Sequence, residues 1–165
     1  VILDGTEFPV TSSIGVAAAI SVDVVSATNT AAIGGGAIVH ATSGSVKVSA
    51  SANVDANAKA DATGIKKDSS VAVAAAFSLN HVSITNTATV GSGVDVTGDG
   101  ITVEAITPDT NDIASRALSI AGNTGDDGVV AVAGVFAINV VDSETRAFTA
   151  DGSHLHCGAG DVDVQ

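Results

Sequence analysis

Residues 13–22 read SIGVAAAISV, and nearly the same residues return as SVAVAAAFSL at 70–79 and, more loosely, as VAVAGVFAI at 130–138. The tetrapeptide TNTA at residues 28–31 also returns, at residues 85–88. Both segments recur at the same spacing in the second copy, and Asn139 follows Asn80 at nearly the same spacing in the third. A long repeat of this kind in a chain rich in Ala, Val, Gly and Thr predicts a stacked architecture in which each repeat contacts its neighbours.

Alternation of side-chain type predicts β-strands. From Val46 to Ala62 every even position is small or apolar, and the odd positions are Ser, Asn, Asp or Lys. A period of two buries one face of a strand, whereas on a helix the same apolar residues would be scattered over all sides. Glycine-rich turns separate such segments, for example at residues 34–36, 91–93 and 98–100.

The long repeated segments change parity. In the second copy the odd-numbered positions hold the large apolar residues up to Leu79, and the even-numbered positions hold them from Val82 onward. A shift of one residue turns every later side chain to the other face, so we expect a bulge or corner at Asn80-His81. Phe77 and Phe136 would then lie in an internal column. The early parts of these strands are apolar at both odd and even positions, so we also expect other elements to pack against both of their faces.

Two architectures accommodate these segments. In a parallel β-solenoid (β-helix) the coils stack about 4.8 Å apart and like residues form ladders. Asn29 over Asn86 and Asn80 over Asn139 would be such ladders, at turns. In an antiparallel β-sandwich or meander the same segments form three repeated hairpin units. With four Phe and no Trp or Tyr beside 29 Ala and 18 Gly, the interior must be narrow, which favours the solenoid.

The chain is therefore predicted to be an all-β repeat protein. We expect an N-terminal strand or arm at residues 1–12 and a β-repeat domain at 13–165, with repeats near 13–69, 70–128 and 129–165. The chain begins at Val1 without Met or a signal-peptide pattern, so we expect a processed product or a piece of a longer protein.

The formal charge of −12 restricts the partners. Phosphate contacts need Lys and Arg, so this charge argues against nucleic acid and against anionic membranes. It favours solubility, divalent cations and a position outside the cell. No apolar run approaches the roughly 18 residues that a membrane helix needs, so membrane insertion is not expected. The single cysteine, Cys157, excludes an intrachain disulfide.

Three segments carry a resemblance to a known family. The stretch VAVAGVFAINVVDSETRAF at residues 130–148 is followed by a glycine turn and DVDV at 161–164, and GSVKVSA at 44–50 and GITVEA at 100–105 repeat the same turn and strand. This pattern resembles the repeat regions of large bacterial surface proteins, the filamentous-haemagglutinin-like and leukotoxin-like filamentous adhesins. The resemblance implies a secreted or surface-attached fibre or stalk, and it transfers no catalytic residues.

Calcium is the one cofactor that the sequence suggests. Carboxylates and backbone carbonyls in glycine-rich turns are suitable Ca²⁺ ligands, although Asp and Gly are also ordinary turn formers. The candidate ligands are Asp99, Asp126 and Asp127. His154, His156 and Cys157 could contribute to a metal site, but no second Cys or His cluster completes a tetrahedral set.

We expect a structural subunit or stalk segment of an extracellular bacterial filament or adhesin. An open strand edge templates pairing with another chain, so a head-to-tail homopolymer could form by strand addition. The arm of one subunit would dock on the open end of the next. The candidate interface residues are Val1, Ile2, Leu3 and Phe8 in the arm and Val162 and Val164 at the other end. Flanking repeats of a larger chain would cover the same edges.

The alternative function is a carbohydrate-binding or carbohydrate-cleaving β-helix. Glycoside hydrolysis needs two carboxyl groups in contrasting environments. The acids of this chain lie mainly in turns or at outward strand positions, and it holds no Trp or Tyr to stack on a sugar ring. We therefore do not expect an enzyme.

Overall fold

Eleven strands and no helix form the part of the chain that the computed structural model describes, which is residues 14–67, 71–123 and 130–165. The first repeat holds β1 (Ile14–Ile33), β2 (Ile38–His40), β3 (Val46–Ser51) and β4 (Ala56–Lys66). The second holds β5 (Val71–Val90), β6 (Asp95–Gly98), β7 (Ile101–Ile106) and β8 (Ile113–Asn123). The third holds β9 (Val130–Thr149), β10 (His154–Cys157) and β11 (Val162–Val164).

Corresponding strands of the three repeats pair side by side. Their orders are β1-β5-β9, β2-β6-β10, β3-β7-β11 and β4-β8. The pairing is parallel and in register: Ile38 faces Asp95, which faces His154. Repeats that follow one another along the chain and pair in this way form a parallel β-solenoid. The all-β solenoid prediction is confirmed, and the antiparallel sandwich or meander is wrong because these pairs are parallel.

The long strands contain no corner. Along β5 the even positions face inward and the odd positions outward without interruption from Val71 to Val90. The bulge or corner predicted at Asn80-His81 is therefore wrong. Phe77 does stack on Phe136, with ring centroids 5.7 Å apart, but both rings lie on the outer face and not in an internal column.

The described residues form two compact units, and each unit takes a part of every repeat. Unit 1 comprises residues 14–25, 55–67, 71–82, 112–123 and 130–141, and unit 2 comprises residues 26–54, 83–111 and 142–165. Each long strand contributes its first part to unit 1 and its second part to unit 2.

Unit 1 has a core of alanine. The buried residues that pack together are Ala19, Ala60, Ala62 and Ala76. The sheet of long strands and the sheet of β4 and β8 lie close together in this unit. The hydroxyl of Ser78 in β5 donates a hydrogen bond to the carbonyl of Ala58 in β4 at 2.9 Å. A Cβ added to Gly64 would lie 3.2 Å from the Cβ of Ala17. A phenyl ring does not fit between layers at this separation, so the large apolar side chains of the long strands lie on the outer face.

Unit 2 has a core of larger, mainly β-branched residues. Its buried cluster comprises Val48, Ala50, Ala88, Val90, Val94, Val96, Ile101 and Val103. The outward positions of β1 and β5 in this unit carry small side chains that are polar except at Ala32 and are mostly threonine, such as Thr28, Thr30, Thr85 and Thr87. Unit 2 therefore has the usual distribution, with apolar residues inside and polar residues outside.

Glycine allows the turns after the long strands to stack. Gly36, Gly93 and Gly152 occupy the same place in the three repeats and have φ angles of 72°, 64° and 72°. Residues with a Cβ rarely adopt this left-handed conformation. At Gly91 an added Cβ would lie 2.7 Å from the backbone nitrogen of Gly35. Close stacking of the turns therefore requires glycine at residue 91.

We predict that Gly91→Ala lowers the free energy of unfolding by on the order of 2 kcal/mol, because the new methyl group meets backbone that must shift. The control is Gly34→Ala, since a Cβ at residue 34 meets no atom within 4 Å. Urea unfolding followed by circular dichroism measures both variants. Equal losses in the two variants would contradict the close stacking of the turns.

Candidate assembly surfaces

The first and third repeats present strand edges that pair with no other strand of the described residues. β1 and β9 are the outer strands of their sheet, and β11 pairs on one side with β7. The N–H of Gln165 donates to the carbonyl of Val103 at 3.0 Å. Because N–H groups alternate in direction along a strand, those of Val162 and Val164 face the open edge. These edges are where a further strand can be added.

Part of the predicted site lies outside the described residues. This part comprises the arm at residues 1–12, with Val1, Ile2, Leu3 and Phe8, and the two turn carboxylates Asp126 and Asp127. Of the predicted interface, Val162 and Val164 are described, and 45% and 42% of their surfaces are exposed.

Asp99, in the turn between β6 and β7, joins this turn to the corresponding turns of the first and third repeats. Its carboxylate Oδ2 accepts a hydrogen bond from the N–H of Gly44 at 2.9 Å, and its own N–H donates to the carbonyl of Gly44 at 2.8 Å. Its carbonyl accepts the N–H of Gly160 at 2.6 Å. In the described ranges no group of three or more His, Cys, Asp and Glu side chains is placed to hold a metal ion.

The two histidines of β10 share its outward face. Their rings stack with centroids 6.2 Å apart, and Nε2 of His156 lies 3.8 Å from Oδ1 of Asp95. Cys157 has the opposite parity, and its Sγ donates to the carbonyl of Asp161 at 3.3 Å. The structure therefore does not bring His154, His156 and Cys157 together around one point.

Glu104 is a carboxylate that its neighbours almost completely cover, with 7% of its surface exposed. Lys47 Nζ lies 2.7 Å from its Oε1, and the hydroxyl of Ser49 donates to the same oxygen at 2.8 Å. The hydrogen bond from Lys47, followed by that from Ser49, holds the pKa of Glu104 below its usual value, and desolvation opposes this shift. The three side chains join the first repeat to the second.

Buried amides join strands within each unit. In unit 2 the Asn29 amide donates to Asn86 Oδ1 at 3.1 Å, and the Asn86 amide donates to the carbonyl of Ile106 at 2.8 Å. The predicted ladder of Asn29 and Asn86 is therefore confirmed, although it lies within long strands and not at a turn.

In unit 1 the corresponding asparagines bond across to the opposite strands. The Asn80 amide donates to the carbonyl of Ala56 at 2.8 Å, and the Asn139 amide donates to the carbonyl of Ile113 at 3.1 Å. Asn80 Oδ1 is buried without a hydrogen-bond partner in the described residues. These amides fasten the long strands to β4 and β8, and Asn139 does not donate to Asn80 Oδ1 as Asn29 donates to Asn86 Oδ1.

The outer face of unit 1 is apolar. We define the apolar face as the outward side chains at residues 14–24 of β1, 71–81 of β5 and 130–140 of β9. Val16 and Phe136 on this face have 67% and 58% of their surfaces exposed. A shallow depression of about 430 Å³ on it is lined by Ala18, Ala19, Ile20, Ala75, Ala76, Phe77, Gly134, Val135 and Phe136. The sequence signalled this face through strands that are apolar on both parities, but the prediction placed the larger side chains, such as Phe77 and Phe136, inside, and this is wrong.

Comparison of the chain with protein-family models, with curated proteins and with solved structures found no match. In the residues that the structure describes, no helix is long and apolar enough to cross a membrane.

We predict that Asn86→Ala lowers the free energy of unfolding by on the order of 2 kcal/mol, because it leaves the Asn29 amide and the carbonyl of Ile106 without their partners. The matched control is Asn57→Ala at an exposed position of β4. Urea unfolding compares the two variants. A loss at residue 57 as large as that at residue 86 would show that the amide contacts are not responsible.

We predict that Glu104→Gln destabilises the chain at pH 7 but not in acid. A carboxyl group whose folded pKa is lowered contributes stability that is fully present above its unfolded pKa and is lost as pH falls through the folded pKa. The difference in unfolding free energy between the parent chain and the variant should therefore shrink as pH falls from neutral into the acid range.

Chemical unfolding at pH 7 and at pH 3 measures this difference. The control is Glu144→Gln, because Glu144 and Arg146 are both exposed and their ion pair is long, at 3.6 Å. A pH-independent difference for residue 104 would contradict the role of its carboxylate charge.

Proposed function

We propose that this chain is a structural segment of an extracellular bacterial filament or adhesin stalk, which is extended along the stacking direction by strand addition. The supporting observation is the parallel, in-register pairing of all three repeats, whose outer strands have unpaired edges in the described part of the chain. Each added repeat would meet the same hydrogen-bonding pattern as the last.

The edges suit a strand of the same kind. On β9 the N–H of Ala150 donates to the carbonyl of Val90 at 2.8 Å, so backbone groups of the even positions face β5. The odd positions of β9 then direct their N–H and carbonyl groups to the open edge. A parallel strand in register would satisfy these groups, whether it comes from a flanking repeat or from a second copy of this chain.

The charge and the surface of unit 2 support a position outside the cell. The formal charge of −12 keeps copies soluble until specific contacts form, and threonine and serine occupy all but one of the outward positions of β1 and β5 in unit 2. The mechanism is mechanical: backbone hydrogen bonds join the repeats, and the buried columns of Ala, Val and Ile keep their register.

Negative-stain electron microscopy of the 165-residue chain tests the proposal. We predict long fibres of uniform width at micromolar concentrations. Thr145→Pro should stop their growth and leave the subunit folded, because residue 145 directs its N–H to the open edge of β9 and proline removes that donor. The matched control Thr145→Ala should still form fibres, since it keeps the N–H.

Two further samples complete this experiment. Deletion of residues 1–10 stops growth if the arm supplies the added strand, and addition of Ca²⁺ shows whether the turn aspartates affect assembly. Dispersed particles at every concentration, or fibres that still form from Thr145→Pro, would contradict assembly by strand addition.

A further inference from the structure

We propose that two copies of this chain pair through the apolar face of unit 1, sheet against sheet. This contact is lateral and uses side chains, so it does not depend on the strand edges of the proposed function.

The apolar face is uniform in chemistry over six outward positions on each of three strands. Its residues are Ile14, Val16, Ala18, Ile20, Val22 and Val24 of β1, Val71, Val73, Ala75, Phe77, Leu79 and His81 of β5, and Val130, Val132, Gly134, Phe136, Ile138 and Val140 of β9. His81 is the single polar or titratable side chain among them. At the next outward positions, Ser26, Ser83 and Asp142, the surface becomes polar. A continuous apolar patch of this kind is typical of an interaction surface.

The area of the face is sufficient for a dimer. Six alternate positions extend for about 36 Å along a strand, and three strands span about 14 Å, which gives roughly 500 Å² in projection. Side-chain relief adds to this value, so two copies would bury about 1,100 Å² in total, above the roughly 1,000 Å² that a specific interface requires. Nearly all of it is apolar.

The face has a ridge beside a groove. The ridge is the column of Ile20, Phe77 and Phe136, and the groove is the adjacent column of Ala18, Ala75 and Gly134. In each repeat the large and the small residue are two positions apart on the same strand. The size difference is greatest in the third repeat, where Phe136 stands beside Gly134.

These columns are complementary to themselves under a two-fold rotation. An axis parallel to the stacking direction, placed between the groove and the ridge, turns the ridge of each copy onto the groove of the other. The same rotation sets the Val16 column against the Val22 column and the Ile14 column against the Val24 column. The order of the repeats is preserved, so Phe136 of one copy meets Gly134 of the other. Such an isologous contact closes at two chains.

A second copy fits these observations better than a lipid surface. A bilayer needs neither the ridge nor the groove, and it favours Lys and Arg at the rim of an inserting patch. The outward residues beside the face on β9 are instead Asp142 and Glu144, and the chain carries a charge of −12. Both features oppose approach to an anionic membrane.

Sedimentation velocity from 1 to 100 µM tests the proposal, with Gly134→Phe as the central variant. Every sample carries Thr145→Pro, which prevents fibre growth, and the chain with this change alone serves as the parent chain. We expect the parent chain to form a dimer and Gly134→Phe to weaken it by at least about tenfold, because the new ring fills the groove. A Cβ at residue 134 meets no atom within 4 Å, so the variant should fold normally. Phe136→Ala, which removes the ridge, should weaken the dimer similarly.

The double variant Gly134→Phe/Phe136→Ala makes the test specific. It exchanges ridge and groove in the third repeat, and under the two-fold rotation the match between copies returns, so dimer affinity should recover most of the loss. The control is Thr30→Leu on the outer surface of unit 2, which should leave the dimer unchanged. Far-UV circular dichroism confirms that each variant is folded.

Three results would overturn the proposal. These are a parent chain that stays monomeric throughout, association that Gly134→Phe does not weaken, and a monomer that instead floats with phosphatidylcholine vesicles. The test is separable from that of the proposed function, because Thr145→Pro blocks an edge but leaves the apolar face intact and should still form dimers. Fibres without dimers, or dimers without fibres, would each contradict one proposal alone.

Discussion

The parallel register between repeats is the constraint on which the rest of the structure depends. Backbone hydrogen bonds hold neighbouring repeats about 4.8 Å apart, so each side chain lies beside the residue at the same place in the next repeat. A favourable contact is therefore made between repeats: Asn29 meets Asn86, Phe77 meets Phe136, and Ser49 meets Glu104. The same proximity explains glycine at residue 91, where the backbone of the neighbouring turn leaves no room for a side chain.

Repeat length and alternation were sufficient to predict an all-β repeat protein, and the scarcity of aromatic residues then favoured the solenoid over the sandwich or meander. They were not sufficient to orient the first part of each long strand. Hydrophobicity favours burial of Val73 over Ala72, but the structure buries Ala72, because the opposite layer is too close for larger side chains. The contacts of Glu104 with Lys47 and Ser49 were not predicted, for a different reason. The strands β3 and β7 pair at a shorter sequence offset than the one at which the long strands repeat.

The two units are stabilised in different ways. Unit 2 buries Val and Ile and has threonine outside, so its hydrophobic stabilisation arises within one chain. Unit 1 buries alanine, whose small side chain removes little apolar area from water, and places Phe, Leu, Ile and Val outside. Close packing and buried amides hold unit 1 together, and its larger apolar side chains stabilise it further only when they are covered. This arrangement explains a positive mean hydropathy of +0.44 in a chain with a core of small residues.

The turn between β2 and β3 and the corresponding turns of the other two repeats differ in length, but the strands on either side remain in register. Five residues separate His40 from Val46, three separate Thr97 from Ile101, and five separate His156 from Val162, yet the strands on both sides pair in register. Loop closure depends only weakly on length, and exposed turns accept added residues. The turn between β2 and β3 is consequently a natural insertion point: a foreign peptide placed between residues 42 and 43 would be displayed at a fixed position on the surface, and an extended stack would present it in a regular array.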